Sequence, residues 1–171
     1  MNRISSPRNV LDLYCGAQGR MYSLVWQYAD LYLGVDKNTP HSLARTIKMS
    51  AERAVCSLDL DKYNVFDVDT YTTPWIVARK ILKRRGEGRL GLVLTLGDKR
   101  GGTGHQSQVV RRLVGATNLS DYRLMMRYHD LIVKLLLRSL AELPGVRLLE
   151  GVEHETPSKI VYIALTIDIS R

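Results

Sequence analysis

One stretch, residues 9–37 with the sequence NVLDLYCGAQGRMYSLVWQYADLYLGVDK, constrains this chain more than any other. Val10, Leu11 and Leu13 form an apolar run, the pattern of a strand covered on both faces. Cys15-Gly16-Ala17-Gln18-Gly19 follows at once, residues 20–28 suit a helix, and Leu31-Tyr32-Leu33-Gly34-Val35 is a second apolar run closed by Asp36. The order is strand, tight glycine turn, helix, strand. A glycine turn at the carboxyl end of a strand lets a ligand approach the backbone closely. It also aims the amides at the start of the following helix toward that ligand. An acid at the end of the next strand is placed to accept both hydroxyls of a ribose. The stretch therefore predicts a site for a nucleoside-bearing cofactor.

The glycine pattern narrows the cofactor. Gly16-Ala17-Gln18-Gly19 is G-x-x-G, so the dinucleotide fingerprint G-x-G-x-x-G is absent, as is a triphosphate loop ending in Lys-Ser/Thr. Instead an acid, Asp12, stands four residues before the first glycine. This arrangement resembles the first motif of the S-adenosylmethionine-dependent methyltransferases with a Rossmann-like fold, roughly D-x-x-x-G-x-G. VLDLYCGAQG is similar to VLDLFCGAGG, with Gln18 standing where that family has glycine. The resemblance implies that S-adenosyl-L-methionine is the cofactor. That molecule has no phosphate, so its turn must cup an adenosine and a charged amino acid. By the same resemblance the cofactor contacts are Asp12, Tyr14, Cys15, Gly16, Ala17, Gln18, Gly19, Asp36 and Lys37, with Asp59 and Asp67 from the following strands.

Along the remaining chain the pattern of strand and helix repeats. Thr39 and Pro40 read as a helix entrance, with Leu43, Ala44 and Ile47 facing inward. Residues 54–58 read as a third strand ending at Asp59, and 64–69 as a fourth. A helix over 76–85 and a fifth strand over 91–96 follow, then a polar loop over 97–118. Residues 122–143 give the clearest helix, with Leu124, Tyr128, Leu131, Leu135 and Ile132, Leu136, Leu140 at helical spacing. Pro144-Gly145 stops it, and 146–152 with 160–169 read as a closing antiparallel hairpin. The resemblance implies one domain over 1–171: an α/β Rossmann-like methyltransferase fold, with a mostly parallel seven-stranded sheet, a C-terminal antiparallel hairpin and helices on both faces.

A second constellation sits at the end of the fourth strand. FDVDTYTTPW resembles the catalytic segment of amino-methyltransferases, (N/D)-P-P-(Y/F) in many DNA and RNA enzymes. It also resembles the D-x-D-P-(F/Y)-G-(S/T)-P segment of the family that dimethylates a guanine exocyclic amine in transfer RNA, keeping Asp67, Asp69, Tyr71 and Pro74, with Thr70 in place of the first proline and Thr72 in place of glycine. The likeness implies Asp69, Thr70 and Tyr71 as catalytic residues. LVLTLGDK likewise resembles the fifth-strand segment of that family, with Asp98 at its acid. The chemistry suits these residue types. An exocyclic amine is a poor nucleophile because its lone pair spreads into the ring. The Asp69 carboxylate and Thr70 carbonyl can accept its hydrogens and orient that lone pair. Tyr71 can stack on a base taken out of its helix.

Charge points to a polyanionic partner. The formal net charge is +8, which favours nucleic acid, RNA before DNA given the likeness. Between Arg79 and Arg112 lie ten Lys or Arg against Glu87 and Asp98 alone. Lys99, Arg100, Arg111 and Arg112 flank the glycine-bearing loop, which reads as a phosphate-binding rim. Two cysteines and four scattered histidines predict neither a disulfide framework nor a metal. No stretch reaches the length of a membrane span, and the N-terminus lacks an apolar signal core, so a cytoplasmic location is expected. No target-recognition domain is evident, so a homodimer or partner subunit is a further expectation. The alternatives are a DNA amino-methyltransferase, a small-molecule methyltransferase, or a degenerate fold of this class that only binds nucleic acid or a partner.

Overall fold

The computed structural model describes residues 7–16, 19–38, 45–70, 74–98, 121–157 and 160–171. Seven strands form one sheet. They are β1 (Asn9–Leu13), β2 (Leu31–Asp36), β3 (Thr46–Lys48), β4 (Val65–Val68), β5 (Gly88–Asp98), β6 (Val146–Glu155) and β7 (Ile160–Ile169). Their order across the sheet is β3-β2-β1-β4-β5-β7-β6. The first five are parallel, while β7 runs antiparallel between β5 and β6. The order reverses at β1, so the chain leaves β1 in one direction and β4 in the other. In open parallel sheets, ligands lodge in the crevice at such a reversal, beyond the carboxyl ends of the strands.

The two faces of the sheet carry different loads. Leu11 lies beside Leu33 and Phe66, and Leu13 beside Val35 and Val68. These side chains join Leu90, Leu92, Leu94, Ile163 and Leu165 in the main core. Helices α2 (Ala51–Ser57), α3 (Pro74–Arg84) and α4 (Asp121–Ala141) contribute Ala54, Ile81, Leu82 and Leu140 to the same cluster. Burying each such large apolar side chain contributes about 1.5–3 kcal/mol. On the opposite face Val10, Tyr32 and Val65 pack against Tyr22, Trp26 and Ala29. That smaller cluster holds down helix α1 (Arg20–Leu24) and the 3-10 turn Trp26–Tyr28.

The third β unit differs from the sequence expectation. Residues 54–58 are not a strand: they belong mostly to α2, and the third strand lies earlier, at Thr46–Lys48, so Ile47 is in a strand rather than a helix. The physical reason is the start signal at Ser50, whose hydroxyl accepts from the Arg53 amide at 3.3 Å. Glu52 complements the helix dipole in the first turn, and Ala51, Ala54 and Val55 are buried at helical spacing. Strand β3 spans three residues paired only with β2, too short for apolar periodicity to reveal. The expected helix entrance at Thr39 and Pro40 lies outside the described residues. Trp75 is buried against the core, as its position on a helix face suggests. Among the described residues no helix is long and apolar enough to cross a membrane.

Candidate functional site

The turn after β1 is held by a small set of backbone bonds. Tyr14 takes a left-handed conformation, φ 74°, rare for a side chain of its size. Its amide and that of Cys15 both donate to the Val35 carbonyl, at 2.8 and 3.2 Å. Gly16 and Gly19 are also left-handed, at φ 68° and 55°. The Gly16 amide donates to Asp36 Oδ2 at 3.2 Å, and Asp36 Oδ1 accepts from the Asn38 amide at 2.7 Å. The β1 turn and the β2 tip are thereby clamped together. Gly34 permits the close approach beneath them: a Cβ there would sit 2.9 Å from both Cys15 Sγ and Thr46 Cγ2.

A cavity of about 720 Å³ opens at these strand tips, within the roughly 300–1,000 Å³ of small-molecule sites. The β1 side supplies Tyr14, Cys15, Gly16 and Gly19, followed by Arg20 and Met21 of α1. The β2 tip supplies Asp36, Lys37 and Asn38, and the start of α2 supplies Ser50, Ala51 and Glu52. Asp69 and Thr70, just past β4, form the facing wall. The Asp69 amide donates to the Leu13 carbonyl at 3.2 Å, which ties that wall to β1. Part of each expected constellation, the glycine turn with Asp36 and the pair Asp69 and Thr70, therefore lines one pocket.

Its titrating groups are shaped by burial. Burial raises the Asp69 carboxyl above its ordinary range, opposed by the Thr95 side chain. Burial, then the Glu52 charge, pushes Tyr14 up to about 12, so its phenol is a neutral donor at pH 7. The Tyr14 hydroxyl stands 3.3 Å from Glu52 Oε1. Cys15 is buried and pushed up to about 12, first by burial and then by the charge of Asp12, which leaves it a thiol rather than a nucleophilic thiolate.

Three expected cofactor ligands, Asp12, Asp67 and Asp59, do not line the cavity. Asp12 and Asp67 are side-by-side partners on β1 and β4, 0% and 1% exposed. The Tyr32 hydroxyl donates to Asp12 Oδ2 at 2.8 Å, and Trp26 Nε1 donates to Asp67 Oδ2 at 2.7 Å. Burial is the main force on both. It lifts Asp12 to about 7 against the Tyr32 hydrogen bond, with Asp69 and Asp36 adding to the rise. It lifts Asp67 well above its ordinary value, with the Asp12 charge adding and Trp26 opposing. Two carboxylates side by side in a dry site do not both ionise readily. The pair forms a polar layer beneath the cavity floor. Alternation explains their place: acids at these positions of β1 and β4 point into the α1 face of the sheet, not past the strand tips.

Asp59 is misplaced for the same reason as the third strand. It is exposed, its carboxylate accepts from the Asp61 amide at 3.2 Å, and it pairs with Lys62 at 3.6 Å. It does not line the cavity. Ser50, Ala51 and Glu52 occupy the place expected of it, and the Ser50 helix-start signal could have located them. Arg20, Met21 and Asn38 were likewise missed, though they adjoin expected residues. Ala17, Gln18, Tyr71, Lys99, Arg100, Arg111 and Arg112 lie outside the described residues, as does the loop over 99–120. Asp98 ends β5, its backbone paired with Ile160.

Part of the basic run serves the fold. Arg79 donates to the Ser139 carbonyl at 2.8 Å and Arg84 to the Val55 carbonyl. Arg85 donates to the Tyr63 carbonyl at 3.2 Å and to Asp61 at 2.7 Å. These guanidinium groups stitch α3 to its neighbours and are not an open phosphate-binding stripe.

No protein-family model and no curated protein sequence matches the chain. Solved structures do match its fold. A hemolysin candidate from Lactococcus lactis superposes with a TM-score of 0.58 at 11% identity, covering 94% of this chain and 77% of that one. The 1,6-didemethyltoxoflavin-N1-methyltransferase of Burkholderia thailandensis, with 1,6-didemethyltoxoflavin and S-adenosylhomocysteine bound, gives 0.52 at 16% identity, covering 96% and 72%. A geranyl diphosphate methyltransferase in complex with GPP and sinefungin gives 0.51 at 12% identity, covering 98% and 72%. With the strand order, these likenesses show a Rossmann-like methyltransferase fold.

Proposed function

We propose that this chain is a methyltransferase that uses S-adenosyl-L-methionine and methylates an amine of a nucleic-acid base, RNA before DNA. One observation carries the reading. Asp36, clamped to the glycine turn, and Asp69 with Thr70 stand on opposite walls of a single cavity at the sheet's reversal point.

The residues present suit that donor. Asp36 accepts one amide on each oxygen, and an ionised carboxylate has about four acceptor positions, so two remain for ribose hydroxyls. Ser50 and Glu52 stand where an adenine would extend, and Gly16 leaves open space where a Cβ would project. When bound, the donor supplies an electrophilic methyl group on a sulfonium sulfur. Asp69 and the Thr70 carbonyl hold the acceptor's amine hydrogens. The raised proton affinity of Asp69 also suits it to take a proton nearer neutral pH than an ordinary aspartate. Tyr71, by its place after Thr70, would stack on the base. A net charge of +8 supports a polyanionic acceptor. A partner subunit or a second copy would supply the rest of the recognition surface.

A small-molecule acceptor is the second reading. It is favoured by the didemethyltoxoflavin bound in the Burkholderia neighbour and by the structural use of Arg79, Arg84 and Arg85. Incubation with methyl-labelled donor and either total RNA, duplex DNA or a panel of small amines decides between them. The proposal expects label in a modified nucleoside by mass spectrometry, RNA first. Label confined to the small amines would overturn the nucleic-acid acceptor.

A further inference from the structure

We propose that Arg20 is the residue that recognises the carboxylate of the methyl donor's amino-acid tail. This rests on the donor reading above and goes on to name the contact that separates the whole donor from its nucleoside part.

The cavity's charges are unevenly placed. Among the described lining residues the acids are Asp36, Glu52 and Asp69, and the cations are Arg20 and Lys37. Lys37 follows Asp36 directly, on the side where ribose hydroxyls would be held. Glu52 stands further along that side, at the start of α2. A molecule with its ribose on Asp36 and its base toward Glu52 extends its remaining arm the other way, past Gly16 to the α1 side. A tail that carries both an ammonium and a carboxylate needs one positive group at that end. Among the described lining residues, Arg20 is the cation there.

Local structure fixes where Arg20 starts. Gly19 is left-handed, and its carbonyl accepts from both the Ser23 amide at 3.0 Å and the Ser23 hydroxyl at 3.1 Å. The first residue of α1 is thereby held at the cavity rim. Arg20 is exposed and forms no ion pair among the described residues, in contrast to Arg85 and Arg147, which hold Asp61 and Asp168. A guanidinium presents paired donors that match a carboxylate edge to edge, which a lysine ammonium does not.

The test is calorimetric titration of two ligands into the full chain. One is S-adenosylhomocysteine. The other is its decarboxylated analogue, which keeps the adenosine, the sulfur and the amine. For the natural sequence we expect the analogue to bind about 10- to 100-fold more weakly, the usual worth of a charge-assisted bond. Arg20→Ala should weaken S-adenosylhomocysteine by about the same factor and leave the analogue within about 2-fold, with Arg20→Lys in between. Equal loss for both ligands, or no loss for S-adenosylhomocysteine, overturns the proposal while the donor reading stands. Equal affinity of the natural sequence for the two ligands overturns it as well, without any variant. If the natural sequence binds neither, the donor reading itself falls.

Discussion

Replacing Asp12 with asparagine should flatten the dependence of stability on pH. An aspartate in the unfolded chain titrates near 3.8, whereas Asp12 in the fold titrates near 7, chiefly because it is buried. Between those values the folded chain holds a proton that the unfolded chain has lost. Stability from this group is therefore full below about pH 4 and falls as pH rises toward 7. Each pH unit in that window costs about 1.4 kcal/mol, so the span is worth on the order of 4 kcal/mol. Asp67 and Asp69 are raised as well and act with the same sign. Asp61 is lowered, first by the Gly86 amide, so it acts only below its ordinary value and leaves the window clear. Asparagine keeps an oxygen for the Tyr32 hydroxyl and has no charge to bury. Urea unfolding followed by far-ultraviolet circular dichroism, at several pH values between 4.5 and 7.5, measures the effect. The natural sequence should lose stability steadily as pH rises. Asp12→Asn should lose less, by about 1.4 kcal/mol per pH unit. A flat profile for the natural sequence, or parallel profiles for the two, would mean that Asp12 carries no raised proton affinity in the fold.

Other consequences are equally direct. Trp26→Phe removes the donor to buried Asp67 and should cost about 1–3 kcal/mol in the same unfolding assay; an unchanged midpoint would show that this bond does not matter. A thiol reagent at pH 8 should label exposed Cys56 quickly in the folded chain and reach buried Cys15 only after unfolding, whereas fast labelling of both would contradict the burial of Cys15. Asp69→Asn should lower methyl transfer by about 100-fold or more while S-adenosylhomocysteine affinity stays within a few-fold. Full activity in that variant would remove Asp69 from the mechanism.

Much of the arrangement was legible because it rests on local, repetitive signals. The run through Val10, Leu11 and Leu13, the glycine turn and the run ended by Asp36 each declare their own geometry, and the structure joins them as expected. Helix α4 shows in its leucine spacing, and the β6–β7 pair in its polar turn. The third β unit was not legible, since β3 is three residues long and its identity comes from pairing with β2, a contact distant in sequence. That error displaced Asp59 and hid Glu52. The positions of Asp12 and Asp67 away from the cavity have a different origin. Motif spacing says which residue types surround a turn, but side-chain alternation decides which of them look into the cavity and which into the sheet face. Likewise a count of arginines cannot tell a guanidinium bound to a helix-end carbonyl, as in Arg79 and Arg84, from one free to meet a phosphate.

The proposed chemistry needs an adenosine-bearing methyl donor in the cavity between Asp36 and Asp69. Calorimetric titration of S-adenosylhomocysteine into the natural sequence and Asp36→Ala is the decisive experiment. One-to-one binding to the natural sequence is expected, weakened by about 10-fold or more in the variant through loss of the ribose hydrogen bonds. If the natural sequence does not bind, or the two bind equally, the donor does not sit on Asp36.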